Sequence, residues 1–155
     1  MPVFTVVVAF DNTDASEAAV KYASDLCMRL VDYRLIVAFV VALNPRQTIP
    51  YIDHLEKAYN LEIEADAEKQ LEMLKKKISV LVDANVVYEF MAVEGEGDVG
   101  PILETYVLEK HPETNLFVVG SRNNTPLKRW ILGSVSDYLV HHLNIPVTVI
   151  KTVDK

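Results

Sequence analysis

The sequence predicts an α/β fold, a parallel sheet with helices on both faces. Two observations carry that prediction. Five short apolar runs alternate along the chain with amphipathic helical patterns, the order that builds strand–helix–strand units. Each run is also continuous and rich in Val and Ile rather than alternating apolar with polar residues, as strands covered on both faces are. Right-handed crossovers then limit how such units stack. At 155 residues, the chain is long enough for one domain with a full core and too short for two of ordinary size. Residues 1–155 are therefore read as a single domain.

The elements follow in order. Val3–Phe10 is a Val-rich buried strand. Asp14, with Glu17 three residues later, has the pattern of a capping box, and Ala19, Tyr22, Ala23, Leu26, Cys27 and Leu30 form one helical stripe behind it. Arg34–Leu43 is the second strand. Pro45, Pro50, Tyr51, Ile52 and Tyr59 mark a less regular piece, expected to cross the sheet edge as a loop with short helical turns. The longest helix is predicted from about Leu61 to Val82, with Ala67, Leu71, Leu74, Ile78, Leu81 and Val82 on one face and Glu68, Lys69, Glu72, Lys75 and Lys76 opposite. That stripe fits packing on a sheet better than a coiled coil, because too few heptads are sustained. Val86–Ala92 is the third strand, Val99–Lys110 the third helix, Leu116–Val119 the fourth strand, Ser134–Leu143 the fourth helix and Val147–Ile150 the fifth strand.

Bulk properties exclude several function classes. A net charge of −7 argues against a nucleic-acid or anionic-membrane surface, both of which need a cationic face. One cysteine, Cys27, makes no internal disulfide and suits a reducing compartment. The N-terminus has no signal-peptide pattern, and the longest apolar run, Leu35 to Leu43, falls far below the roughly 18 residues that span a bilayer. The expectation is a cytoplasmic protein that holds any anion by local geometry.

The most informative segment is Leu116–Ser136. An apolar strand pattern ends at Gly120, a polar loop with Arg122, Lys128 and Arg129 follows, and Gly133-Ser134 opens a helix. A glycine leaving a buried strand is expected to let the backbone turn sharply and approach a ligand. Gly-Ser at a helix start offers free N–H groups, a hydroxyl and the positive end of a dipole, which suits a phosphate. Taken singly, each of the three cations reads better as a solvated surface charge.

The spacing Gly120, Asn123, nine residues, Gly133-Ser134 resembles the nucleotide-binding signature of the universal stress protein family, with Asn123 where that signature has its second glycine. Val8-Ala9-Phe10-Asp11, Gly-Ser-Val-Ser and the final Ile-Pro-Val-Thr-Val-Ile are similar to the same family, over about Val3 to Lys151. The resemblance implies a Rossmann-like sheet of order 3-2-1-4-5, which places Asp11 and Gly120 at the carboxyl ends of neighbouring strands where the order reverses, the usual ligand position. It also implies ATP, with Mg²⁺, as the ligand. Asp11 would reach the adenosine end, with Ala9 and Val40 near the base. Gly120, Arg122, Asn123, Gly133, Ser134 and Ser136 would lie along the phosphates, and Val119 and Val135 complete the set. If the loop keeps the family's path, Asn123 takes a positive φ, which asparagine tolerates best among non-glycine residues.

Other motifs carry less. Gly95-Glu96-Gly97-Asp98-Val99-Gly100 spells a dinucleotide fingerprint, but two carboxylates would repel a pyrophosphate and the run follows the third strand rather than the first. A turn and helix entry, with Pro101 just inside, explains it better. His141 and His142 are adjacent on a helix and point about 100° apart, so they do not chelate one ion. No hydrolytic set stands out, so turnover beyond slow ATP hydrolysis is not expected. The sequence reading is thus an ATP-binding, homodimeric regulatory protein of the stress type. The alternative is the same fold without nucleotide, serving as a dimeric interaction module. An enzyme of the related adenine-nucleotide alpha-hydrolase group would need a Ser-Gly-Gly-type loop after the first strand or a His-x-x-His nucleotidyl-transfer motif, and Asp11-Asn12-Thr13-Asp14 is neither.

Overall fold

The computed structural model describes residues 2–43, 53–123 and 132–153. In chain order these form β1 (Phe4–Ala9), α1 (Asp14–Cys27), β2 (Tyr33–Leu43), α2 (Asp53–Leu81), β3 (Tyr88–Glu96), α3 (Val99–Lys110), β4 (Leu116–Asn123), α4 (Ser134–His142) and β5 (Val147–Val153). The strands make one parallel sheet in the order β3-β2-β1-β4-β5. The expected fold class and strand order are both observed.

Continuous apolar strands are explained by two cores, one on each face. Val6, Val8, Leu35, Val37 and Val118 pack against Ala19, Val20, Ala23 and Cys27 of α1 and against Leu74, Ile78 and Val82 at the end of α2. Their neighbours Val7, Ile36, Ala38, Phe117 and Val119 point the other way, onto Ile102, Leu103, Tyr106 and Val107 of α3 and Leu139 of α4. Successive side chains of a strand serve opposite faces, so an all-apolar strand is what two helical layers require.

Several boundaries differ from expectation, and each has a local cause. The cap of α1 is Thr13, whose hydroxyl accepts from the Ser16 amide while Ser16 Oγ accepts from the Thr13 amide; the capping box therefore sits one residue earlier than Asp14/Glu17. Val20 takes the buried place expected for Tyr22, which is exposed, and Leu30 lies past the helix end. α2 starts at Asp53 and includes Tyr59, because nothing between Asp53 and Leu61 breaks a helix. Pro45, Pro50, Tyr51 and Ile52 lie outside the described residues. Ala67 of α2 is exposed, and from Asp66 onward the first buried side chain of the helix is Leu74.

The strands β3, β4 and β5 run longer than their apolar cores. β3 continues to Glu96 because β2 supplies backbone partners up to Leu43↔Glu96. β4 and β5 sustain each other as far as Asn123↔Val153. Pairing extends strands through polar residues that intrinsic preference would leave in loops.

The amino-terminal end of the sheet is stapled by polar contacts. Arg34 makes a paired contact with Glu89 at 2.7 and 3.0 Å and reaches Glu113 at 3.3 Å. The guanidinium holds the Glu89 carboxyl below its ordinary range. Asn115 Oδ1 accepts from the Thr5 amide, and the Asn115 amide donates to Thr5 O.

Candidate functional site

β1 has β2 on one side and β4 on the other, so the order reverses between β1 and β4, and their carboxyl ends diverge toward opposite helical layers. A pocket of about 110 Å³ opens there, lined by Ala9, Phe10, Asp11, Ser16, Ala38, Val40, Val99, Leu103, Val119, Gly120 and Val135. Ala9, Asp11, Val40, Val119, Gly120 and Val135, all picked from sequence, come together in this lining. Gly133, Ser134 and Ser136 adjoin it at the start of α4, next to Val135. Arg122 is exposed two residues beyond Gly120, opposite Thr152 of β5. Lys128 and Arg129 lie outside the described residues.

One wall is the turn after β1. Asn12 has φ +62°, in the left-handed region that asparagine enters more readily than most side chains. The turn is closed by Asp11, whose carboxylate accepts from the Thr13 amide at 3.2 Å and from its hydroxyl. The Asp11 amide in turn donates to Ser16 Oγ at 3.2 Å. Asp11 is therefore fixed in place at the pocket's polar edge.

The other wall is α4. Gly133 is its N-cap, with φ −62° and ψ 157° and no side-chain cap on the first-turn amides. Two buried serines grip this residue. Ser121 Oγ accepts from the Gly133 amide at 2.9 Å, and Ser136 Oγ donates to the Gly133 carbonyl at 3.0 Å. A Cβ at Gly133 would sit 3.6 Å from either hydroxyl, an ordinary contact, and the backbone angles suit any residue. Among the described residues, neither packing nor conformation demands glycine here. What the glycine leaves open is the space over the uncapped N–H groups.

Two expectations need correction. Gly120 does not end a strand: β4 continues through it to Asn123, held by β5. Close packing requires a glycine here, since a Cβ would lie 2.4 Å from the backbone C and O of Ala15 in α1. Asn123 is likewise part of the paired strand, in register with Val153, so its backbone is extended and needs no left-handed tolerance. The Ser136 hydroxyl donates to the Gly133 carbonyl.

Phe10, Ser16, Ala38, Val99, Leu103 and the supporting Ser121 were not read from sequence. Strand alternation offered a signal for the last: with Val119 facing α3 and α4, Ser121 must face the same way. Val99 and Leu103 are i, i+4 neighbours at the start of α3, a spacing that signals a shared face but not a pocket.

The remaining motifs resolve into structure. In the glycine run after β3, a Cβ at Gly95 would meet Ile102 at 2.7 Å, Gly97 has φ +94°, and a Cβ at Gly100 would meet the Tyr138 ring at 2.7 Å. A larger groove of about 310 Å³ lies beside this run, but Glu94, Glu96 and Glu109 in its lining would repel a phosphate. His141 and His142 each turn Nδ1 to a separate backbone carbonyl, of Asp137 and Tyr138. Cys27 is buried, and burial pushes its thiol up to about 11, so it is a packing residue with little thiolate character. Among the described residues there is no group of His, Cys, Asp and Glu placed to hold a metal ion, and no helix long and apolar enough to cross a membrane.

Comparison with known proteins agrees with this architecture. The model of the universal stress protein family matches residues 3–151. A universal stress protein of Methanocaldococcus jannaschii is 27% identical over 146 residues, covering 94% of this chain and 81% of the relative. Among solved structures, the universal stress protein UspA of Lactobacillus plantarum superposes with a TM-score of 0.63 at 23% identity, covering 97% of this chain and 99% of that one. A universal stress protein of Archaeoglobus fulgidus in complex with dAMP gives 0.62 at 17% identity, over 97% and 100%. A universal stress protein in complex with cAMP gives 0.59 at 20%, over 97% and 98%. At these identities the structural likeness establishes the fold.

Proposed function

Because the chain belongs to the universal stress protein family, we propose that it binds an adenine nucleotide, ATP with Mg²⁺, between the Asp11 turn and the start of α4. In this reading it works in the cytoplasm as a nucleotide-dependent regulatory module of stress responses rather than by turnover. The observation that carries the proposal is Gly133. Among the described residues, it caps a helix whose first-turn amides have no side-chain cap, and its Cβ position is open although no described residue requires a glycine there. Such a helix end favours an anion, and the dAMP and cAMP complexes of relatives support an adenine nucleotide.

The pocket suits one part of the ligand. Its volume is well below the roughly 300–1,000 Å³ of sites that enclose a drug-sized molecule, so base and ribose would enter and the phosphates would lie outside, over α4. The Phe10 amide donates to Ala38 O, after which β2 runs on beside β3 alone. Strand alternation turns the N–H and C=O of Val40 to that vacated side, where they match the donor and acceptor of an adenine edge. Asp11 would take a ribose hydroxyl. Mg²⁺ would come with the phosphates, since it commonly keeps water and needs few protein ligands.

The first test is chromatography of whatever the purified protein releases on denaturation, followed by calorimetry with ATP and Mg²⁺. Adenine nucleotide in the extract, or binding at micromolar Kd or tighter, is expected. Failure of both would put the nucleotide-free interaction module in front.

That second reading, and a homodimer in either case, draws on β5. It is an edge strand, Val-Thr-Val-Ile-Lys-Thr-Val, with one charge. The Phe117 amide donates to Pro146 O, which fixes the phase: Thr148 and Ile150 bond to β4, while Val147, Val149 and Lys151 turn their backbone groups outward. Such an edge invites a second copy, antiparallel about a two-fold axis. Replacing Val149 with proline removes an outward N–H and should give monomers by light scattering; a wild type that is already monomeric at tens of micromolar would end this part.

A further inference from the structure

The nucleotide wall formed by the Asp11–Thr13 turn is gripped from outside by a residue far away in sequence. Lys77, on α2, places its ammonium 2.6 Å from Asn12 Oδ1 and 2.5 Å from Glu17 Oε1. Asn12 is the one non-glycine residue with positive φ among those described, and Glu17 lies in the first turn of α1. A single cation therefore ties the strained residue of the turn to the helix that follows it. Both partners sit beside groups of the pocket: Asn12 follows Asp11, and Glu17 follows Ser16.

We propose that Lys77 is a positioning residue for the nucleotide site, through which α2 and the ligand influence each other. The proposal rests on the nucleotide reading of the pocket. Its physical content is that the left-handed turn has a conformational cost, which a charge-assisted bond to the Asn12 side chain offsets. The hydrogen bonds from Thr13 to Asp11 close the turn from inside. The Lys77 bond fixes its orientation against α2, and so sets where Asp11 points. Coupling of this kind is reciprocal: if Lys77 favours the binding-competent turn, then bound nucleotide should quieten the part of α2 that carries Lys77.

The test uses Lys77→Gln, which removes the charge, Lys77→Arg, which keeps it, and Glu17→Gln, which cuts the ion pair and leaves the contact to Asn12. Hydrogen exchange of the apo protein is read first. In Lys77→Gln the amides from Asn12 to Glu17 should exchange faster, and in Lys77→Arg they should stay near wild type. ATP titration is read second: Lys77→Gln should weaken binding roughly three- to tenfold, Glu17→Gln less, and Lys77→Arg should restore most of the affinity. In wild type, ATP should slow exchange around Lys77. Unchanged exchange in Lys77→Gln overturns the proposal. So does faster exchange with wild-type affinity, which would make Lys77 a stabilising contact only. A wild type that takes up no nucleotide defeats the reading of the site instead, and the proposed positioning role falls with it, whatever the exchange arm shows.

Discussion

The segments that close β3 and β4 look alike in sequence, each a strand pattern giving way to glycines and then a helix, yet their glycines answer to different demands. In the first, the protein itself accounts for all three: Ile102 crowds Gly95 in β3, Tyr138 crowds Gly100 in α3, and Gly97 occupies a left-handed turn between them. In the second, Gly120, inside β4, is crowded by the backbone of α1, whereas Gly133 has room for a Cβ among the described residues and ordinary backbone angles. The lesson is that a glycine points to a ligand only after packing and conformation have been subtracted. By that standard the run that spells a fingerprint contributes only Val99 to the pocket lining, and one glycine of the second segment carries the argument.

The largest expected effect tests the subtraction at Gly120. Ala at this position would place a methyl 2.4 Å from main-chain atoms of Ala15, which no rotamer change relieves. Gly120→Ala should cost about 3 kcal/mol or more, at or above the upper end for overpacked sites, read as a lower urea midpoint. A variant as stable as wild type would show that α1 can retreat from β4 freely, and the contrast with Gly133 would lose one arm.

Next comes Gly133→Asp. Aspartate is a favoured N-cap and the observed angles suit it, so stability should hold or rise by up to about 1 kcal/mol. Nucleotide affinity should nevertheless fall by about a hundredfold or more, because a carboxylate would face the phosphates at close range. A protein that is more stable and binds as before would remove Gly133 from the site. One that is less stable would mean the cap geometry has been misjudged.

Gly97→Ala belongs to the opposite segment and should cost about 1 kcal/mol, the usual penalty for a side chain forced to positive φ. ATP affinity should stay within about twofold of wild type, since no atom of that turn lines the pocket. A marked loss of binding would return the first glycine run to consideration.

How far the sequence led follows the same division. Continuous Val-rich runs and helical stripes sufficed for the fold, because burial on two faces leaves a pattern along the chain. Boundaries failed where a partner strand decided them. Gly95, Glu96 and Ser121–Asn123 are paired through β2 and β5, and that pairing is invisible in a window of local sequence. The pocket residues seen from sequence were those the family pattern marks. Phe10, Ala38 and Leu103 look like ordinary core and become lining only because strand order places them at the switch point. Lys77 could not be found from sequence at all, since its two partners lie 60 and 65 residues away.

The smallest effect on stability is the sharpest test of the comparison. Gly133→Ala adds one methyl where 3.6 Å separates it from Ser121 Oγ and Ser136 Oγ, so it overpacks nothing. Alanine restrains the unfolded chain more than glycine does, which favours the variant, but it is the poorer N-cap. These opposing terms should leave stability within about 0.5 kcal/mol of wild type. The methyl would still occupy the space over the first-turn amides, the place assigned to a phosphate, and it carries no charge to repel one. Binding should therefore weaken by roughly three- to tenfold, less than for aspartate. The order Gly, Ala, Asp in affinity, set against near-constant or rising stability, would separate a ligand glycine from a packing glycine by measurement. Equal affinity for Gly and Ala, with loss only for Asp, would mean that charge alone governs this position and that the open Cβ site is incidental.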